Sequence, residues 1–318
     1  MKVHTLDIDS GERDPVLYSN PSDYVVHLKN PIYDVTKISL ISARIHNSQY
    51  LIHDRNKTFD VLTNGGSTQT VTLDTGNYSG QELAAEVNDK CTIITGATFD
   101  KDTNAITFTG SGDFTFLFYG GTNGYASTSS SGYTTPHDIL GLPASNVSSS
   151  SNSLETGSIN LQGPDAIIVK MSSGSDEFNK TVFSETPFYT GRILLCGDVI
   201  NFSGVDDTVE HNFDSGSQKT ISSLRVQFYY SSNNRLIPYD FRHANHILKL
   251  AVTCYTNKLE NASKMEKTEE DYISPLPAPM SIPEIEDPRR WDAFVSIFMV
   301  VATGLVLLLV MRKPRIIE

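Results

Sequence analysis

The sequence predicts an all-β fold class: a jelly-roll-like antiparallel β-sandwich with a small α+β insertion, plus one C-terminal transmembrane helix. Three observations lead to this prediction. Short runs rich in Val, Ile, Thr, Tyr and Phe recur between clusters of Gly, Asn, Asp and Ser, which is typical of strands joined by turns. These runs are numerous enough for a sandwich or a jelly roll. A long uncharged apolar stretch near the C-terminus is typical of a membrane-spanning helix.

The strand prediction depends on composition and on alternation. In one run, Leu224, Val226 and Phe228 alternate with Arg225 and Gln227, as expected for a strand with one buried and one solvated face. The predicted strands are residues 3–9, 24–29, 36–46, 58–62, 70–73, 105–109, 114–119, 166–171, 192–196, 199–202, 223–230 and 247–255.

One segment breaks the strand pattern. Ser79 and Glu82 have the spacing of a capping box and are followed by good helix formers, which predicts a helix over about residues 80–91. Two strands joined by a turn and then a helical turn follow. We therefore expect a compact α+β insertion at about residues 75–157 within a β domain over residues 1–256.

Part of this insertion is rich in Ser, Gly and Asn and has few apolar side chains to bury. The clearest examples are residues 127–132 and 148–152. Such composition cannot support a core, so we expect exposed or mobile loops there.

The apolar stretch predicts a transmembrane helix over residues 291–311. Residues 293–311 carry no charge, and at about 1.5 Å per residue they measure about 28 Å, close to the roughly 30 Å of a hydrocarbon core. An interfacial aromatic precedes the stretch, and a basic tail at residues 312–318 follows it and can hold phosphate headgroups. The predicted anchor residues are Trp291, Phe294, Leu305, Leu308, Met311, Arg312 and Lys313.

A linker at residues 257–290 separates the β domain from the predicted anchor. Its first half is highly charged, and residues 274–288 are rich in proline. At about 3.1 Å per residue, a polyproline II conformation of the second half would span roughly 45 Å. A semi-rigid spacer and a passive juxtamembrane linker both fit this composition.

Topology and cysteine usage point to the same compartment. The first residues lack the basic and apolar segments of a secretory leader, so we expect the β domain on the cytoplasmic side. Cys91, Cys196 and Cys254 show neither paired nor zinc-ligand spacing, which fits a reducing compartment.

Composition and motifs argue against several function classes. The net charge is −12 and Lys and Arg are scattered, so we expect no nucleic-acid partner. The sequence has no nucleophile-elbow, zinc-protease, phosphate-loop or dinucleotide pattern. We therefore predict that the protein is not an enzyme, with no catalytic residue, no cofactor and no small-molecule substrate.

Two groups of side chains share some features with metal sites. Four carboxylates lie between positions 7 and 14, but no calcium-loop pattern follows them, so solvated carboxylates at a strand edge and turn are the better interpretation. His243 and His246 are three residues apart, but they precede a strand and do not share a helix face. We predict no metal site.

The opening residues resemble a known family. Their pattern is Asp-Ser-x-x-Arg-Asp, a Tyr, a Pro and then Asp-Tyr-x-Val. It resembles the start of minor capsid proteins of large icosahedral double-stranded DNA viruses of the algal and amoebal type. Later segments, including residues 77–84, 138–142 and 224–250, are similar to further parts of that family, so the resemblance covers most of residues 1–256. The motif residues are Asp9, Ser10, Arg13, Asp14, Tyr18, Pro21, Asp23 and Tyr24.

The resemblance implies a jelly-roll fold, a place in the virion, and the major capsid protein and other minor capsid proteins as partners. Together with a lipid bilayer as the partner of the anchor, it implies that the chain tethers the capsid shell to the internal viral membrane. During assembly the β domain would face the host cytoplasm. Within the motif, we expect Arg13 and Asp14 to brace the N-terminal turn as a pair.

Two other functions fit the sequence. A membrane-displayed receptor- or glycan-recognition protein would bind through loops at residues 120–157. A membrane-anchored hydrolase would need Asp, His and Ser side chains that converge in a pocket.

Overall fold

The computed structural model describes residues 1–126, 132–179, 189–205, 208–213, 219–255 and 289–311. The chain forms two compact units, Met1–Asn257 and Lys258–Glu318. In chain order, the elements are β1 (Lys2–Asp9), the 3₁₀ helix η1 (Ser10–Glu12), β2 (Asp23–His46), β3 (Thr58–Thr63), β4 (Thr68–Thr72), α1 (Gly80–Lys90), β5 (Ile94–Asp100), β6 (Ala105–Gly110), β7 (Phe114–Leu117), β8 (Asn146–Ser148), β9 (Ser153–Glu155), β10 (Ala166–Ser173), β11 (Asp176–Glu177), β12 (Gly191–Leu194), β13 (Val199–Ser203), β14 (Val209–Asn212), β15 (Lys219–Ser232), β16 (Arg235–Pro238), β17 (Ile247–Cys254) and α2 (Arg289–Val310).

A ten-stranded antiparallel sheet forms the main part of the first unit. Its path is β1-β17-β2-β15-β10-β11, with β12 beside β10, β13 and β14 beside β2, and β16 beside β15. Two smaller antiparallel sheets complete the unit. The predicted all-β fold class is therefore confirmed.

Strand β2 connects the two parts of the main sheet. The sequence predicted two separate strands, at residues 24–29 and 36–46, but the structure has one strand of 24 residues. Its first half pairs with β15 and its second half with β17, β13 and β14. The register with β15 shifts between His27 and Ile32. Pro31, which has no N–H to donate, lies within this shift, so the strand continues past it without losing a ladder hydrogen bond.

The main sheet encloses a core of apolar side chains. Alternation along β15 buries Leu224, Val226 and Phe228, as predicted. Leu250 of β17 and Val169 of β10 pack into the same core. Side chains from strands on both sides of β2 thus meet in one cluster.

A second core of apolar side chains lies among α1 and the two smaller sheets, β4-β3-β7-β8 and β5-β6-β9. The predicted helix is present as α1, and the Ser79 and Glu82 capping box is formed. The second core includes Phe59 and Val71, so it draws on β3 and β4 and reaches back before residue 75. The sequences of these two strands, Thr-Phe-Asp-Val-Leu-Thr and Thr-Gln-Thr-Val-Thr, contain no signal that indicates which core they join.

Five short strands of the first unit were not predicted. The strands β8, β9, β11, β14 and β16 have two to four residues each, which is too short for a clear alternation. The predicted loop at residues 148–152 contains an exposed turn, where Ser151 and Asn152 have positive φ. The predicted loop at residues 127–132 lies outside the described residues up to position 131.

Helix α2 lies where the sequence predicted the membrane anchor. Among the residues that the structure describes, no helix is long and apolar enough to cross a membrane. The described side chains of α2 begin at Phe294, inside the predicted span, while Arg312, Lys313 and the linker up to residue 288 lie outside the described residues. The predicted transmembrane span is therefore not supported here and stays a prediction.

Candidate functional site

The family-motif residues meet the loop before β17 in one cluster. We call this cluster the N-terminal clasp, and it comprises residues 9–24 together with Asn245 and His246. The chain between β1 and β2 supplies the first part, and the residues just before β17 supply the second.

Arg13 ties this clasp together through its guanidinium group. Its Nε donates to the carbonyl of Tyr18 at 2.9 Å, and its Nη1 donates to the carbonyl of Ser10 at 2.5 Å and to Oδ1 of Asn245 at 2.8 Å. A planar guanidinium can satisfy several acceptors at once, which a lysine cannot do in the same geometry. The expected bracing role of Arg13 is therefore visible in the structure.

The expected pairing of Arg13 with Asp14 is wrong. The carboxylate of Asp14 accepts hydrogen bonds from the backbone N–H groups of Val16 at 2.8 Å and Leu17 at 3.2 Å. A short side chain at the start of a turn bonds the backbone N–H groups just after it, and this local geometry holds Asp14 away from the guanidinium. Asp9 acts in the same way, because its Oδ1 accepts from the N–H of Gly11 at 2.8 Å.

Ser10 is fully buried and links the two parts of the clasp. Its backbone N–H donates to the carbonyl of His246 at 3.0 Å, and the N–H of His246 donates to Oγ of Ser10 at 2.8 Å. This reciprocal pair extends the β1–β17 ladder by one residue on each strand. Ser10 therefore has a structural reason to be small and polar.

His246 and Tyr24 form a buried polar pair. Their Nε2 and hydroxyl atoms share a hydrogen bond of 2.9 Å. The His246 ring packs against Phe228 and Phe241, with centroids 4.6 and 4.9 Å away. Burial lowers the pKa of His246 to about 3 and raises the pKa of Tyr24 above its usual value, so both groups are neutral at pH 7.

The remaining motif residues fix the start of β2. Asp23 accepts two hydrogen bonds from Arg225, at 2.8 and 2.7 Å, and one from Gln227 at 3.2 Å. Pro21 is buried, and Tyr18 packs against the main core. All eight motif residues lie within the clasp. The sequence did not identify partners such as Asn245 and Arg225, because these lie more than 200 positions away.

A cleft of about 640 Å³ lies beside the clasp. Ile8 of β1 and Val26 of β2 line it from the two strands, and Leu17 and Ile247 line it from the clasp and β17. Leu17 is 70% exposed and its neighbour Val16 is 89% exposed. Large apolar side chains that are this exposed and clustered typically mark a contact surface.

The two histidines and the carboxylates that the sequence suggested as possible metal ligands do not form one site in the structure. His246 is buried whereas His243 is exposed, so the two rings do not face one ligand. Asp7 lies 3.8 Å from Lys249. In the part of the chain that the structure describes, no three His, Cys, Asp or Glu side chains are grouped as a metal site would require.

The predicted anchor residues with described side chains are all exposed. The exposed fractions of Phe294, Leu305, Leu308 and Met311 lie between 58% and 74%. Helix α2 therefore presents apolar side chains to its surroundings along its described length.

Comparison with known proteins yields a family and weakly similar solved structures, among them two viral proteins. No curated protein matches the chain. The penton protein of mavirus is similar over 80% of this chain and 100% of its own, with 11% identity and a TM-score of 0.37. A structure of the Sputnik virophage is similar over 79% of this chain and 98% of its own, with 10% identity and a TM-score of 0.30. The model of a family of unknown function, DUF5901, matches residues 3–268, and the chain therefore belongs to that family.

Proposed function

We propose that this protein is a structural minor capsid protein of a large icosahedral double-stranded DNA virus, which tethers the capsid shell to the internal viral membrane. The observation that carries this proposal is the N-terminal clasp. Three residues of the family pattern, Ser10, Arg13 and Tyr24, bond Asn245 or His246 and so join the start of the chain and of β2 to the loop before β17. This cluster supports treating the pattern as one structural unit, and the family that the pattern resembles supplies the capsid role.

The proposed membrane contact depends on α2. Its described side chains include Phe294, Ile297, Phe298 and Leu305, all more than half exposed. An exposed apolar surface of this kind supports a contact with lipid, since it offers water few polar groups. The basic residues that follow it in the sequence would bind lipid headgroups.

In this proposal the β domain contacts other proteins and α2 contacts lipid. The partners are the major capsid protein and other minor capsid proteins on one side and the internal bilayer on the other. The protein has a scaffolding role in the virion, and we assign it no catalytic step, no cofactor and no nucleic-acid partner.

Fractionation of purified virus particles tests the capsid role. Particles are treated with mild detergent, and shell and lipid fractions are analysed by quantitative mass spectrometry. We expect the chain in particles and retained on the shell after lipid removal. Release with the lipid would favour a membrane-displayed recognition protein, and absence from particles would contradict the capsid assignment.

Flotation with liposomes tests the membrane contact separately. We expect the full-length chain to float with vesicles and a variant with Leu305→Lys and Leu308→Lys to remain in the dense fraction, since each lysine at a helix centre costs about 2.5–3.5 kcal/mol. The control is Val205→Lys, which adds a charge at an exposed apolar residue of the first unit. Equal flotation of all three proteins would contradict the anchor.

A further inference from the structure

Two strands of the main sheet each have a side on which no described strand pairs. Strand β1 ends the sheet path and pairs only with β17. Residues 23–27 of β2 pair with β15 on one side. At Val35 the strands β15 and β17 lie on opposite sides of β2. Strand β17 pairs with β2 only from Val35 onward, so it does not cover the earlier residues 23–27 on that side. Among the described residues, no strand therefore pairs with the outer side of β1 or with the second side of residues 23–27.

The 640 Å³ cleft lies between these two open sides. Residues 7–9 of β1 and residues 24–27 of β2 line it together with the clasp. An open strand side presents a row of unpaired N–H and C=O groups, and an extended peptide that adds to it gains a ladder of main-chain hydrogen bonds. We call this cleft, together with the residues that line it, the seam.

Apolar side chains of the seam provide a place for an anchoring side chain. Leu17 lines the cleft while being 70% exposed, and Ile247 lines it while being 48% exposed. The volume lies within the range of roughly 300–1,000 Å³ that is typical of binding clefts. A partner with one apolar side chain could bury both residues.

Charge around the seam selects the partner. Asp7, Asp9, Glu12 and Asp14 line the cleft, whereas Arg13 is its only described lining residue with a permanent positive charge. Arg13 is held by backbone carbonyls and by Asn245, so its hydrogen-bonding groups point into the clasp. A segment with Lys or Arg beside its apolar side chains would complement these carboxylates.

We propose that the seam binds an extended segment of another protein chain, rich in Lys or Arg and in apolar side chains, which adds as a strand beside β1. This inference rests on the proposed function only in that capsid proteins would supply the segment. A second copy of this chain fits less well, because its net charge of −12 opposes self-association.

Peptide binding to the full-length chain in detergent tests the proposal. The probe is a fluorescent peptide that alternates Val and Lys and has the length of β1, 8 residues. A first control peptide replaces Lys with Glu. A second control methylates the backbone nitrogens of the probe, which removes its N–H donors but keeps its charges. We expect the probe to bind at least tenfold more tightly than either control, with an affinity that falls as salt is added.

Two variants locate the binding site. Leu17→Asp introduces a charge on the apolar part of the seam, and we expect it to weaken probe binding at least tenfold. Val205→Asp is the matched control, because Val205 is 87% exposed and does not line the cleft. Both changes are at exposed positions, and thermal unfolding of each variant confirms that it folds.

Three results would overturn the proposal. They are equal binding of the Lys and Glu peptides, full binding by the methylated probe, and full binding to Leu17→Asp. Sedimentation of the full-length chain provides a further check, since a dimer that dissociates in Leu17→Asp would assign the seam to a second copy. None of these results depends on the particle fractionation, so the capsid assignment and the seam can fail independently.

Discussion

The hydroxyl of Tyr24 and Nε2 of His246 share a hydrogen bond of 2.9 Å, although 222 positions separate the two residues in the sequence. Both side chains are almost completely buried, with 1% of each exposed. The bond joins the start of β2 to the loop before β17. It therefore holds β2 and β17 together beside the seam, which Tyr24 helps to line.

Tyr24→Phe removes this bond and keeps the ring. Among the described residues, Nδ1 of His246 already has no partner, so the variant leaves both nitrogens of a buried imidazole unsatisfied. A buried polar group without a partner costs about 1–3 kcal/mol, and we expect the free energy of unfolding to fall by about that amount. Urea unfolding measures it, with Tyr33→Phe at a 62% exposed tyrosine as the control. Equal midpoints for the two variants would contradict a stabilising role of the bond.

Acid should weaken the fold through two buried histidines. Burial lowers the pKa of His246 to about 3 and that of His53 to about 4, whereas an unfolded histidine has a pKa of about 6.5. Between about pH 6.5 and pH 4 the unfolded chain binds more protons at both positions, so stability is present above this window and is lost as pH falls. We expect a loss of about 1.4 kcal/mol per pH unit for each histidine.

His53→Gln tests this assignment, because glutamine does not titrate. Nε2 of His53 lies 3.0 Å from the hydroxyl of Tyr230, so the bond joins the segment between β2 and β3 to β15 of the main sheet. The variant should be less stable at pH 7 but should lose less stability between pH 6.5 and pH 5. The measurement is the urea midpoint at several pH values, and a pH dependence equal to that of the natural chain would assign it to other groups.

Local patterns predicted local structure well. Ser79 and Glu82 lie three positions apart, and the capping box they predict is formed at the start of α1. Alternation predicted β15 because its buried residues are large and apolar. Strand β14, with the sequence Val-Glu-His-Asn, has no such pattern and pairs with β2, where Val209 lies opposite Leu40.

Local sequence patterns did not predict the long-range contacts. The motif from Asp9 to Tyr24 was recognised as a unit, but its partners Asn245 and His246 carry no local signal that links them to it. Arg13 bonds the carbonyls of Ser10 and Tyr18 and the side chain of Asn245 instead of Asp14. Which groups a side chain meets across the fold depends on the path of the sheet, which composition and spacing do not determine.

Arg13→Lys tests the clasp as a hydrogen-bonded unit. Lysine keeps the charge but cannot reach the carbonyls of Tyr18 and Ser10 and the side chain of Asn245 in one planar arrangement. We expect the free energy of unfolding to fall by about 2 kcal/mol, which lies within the range of roughly 1.5–3 kcal/mol for hydrogen bonds with a charged partner. Arg44→Lys, at an exposed position of β2, is the matched control. Equal unfolding curves would show that charge alone stabilises the clasp.

Gly191→Ala tests how tightly β12 packs against β14. A Cβ atom at Gly191 would lie 2.6 Å from both methyl groups of Val209 and 2.8 Å from its Cβ. Val209 is 1% exposed and branched at Cβ, so it has little freedom to move away. Overpacking of this kind costs about 1–3 kcal/mol, and we expect a lower urea midpoint. Gly197→Ala is the matched control, since a Cβ there has no atom within 4 Å. If both alanine variants unfold at the same urea concentration, the close contact between β12 and β14 does not constrain the fold, and the packing at Val209 has room that the structure does not show.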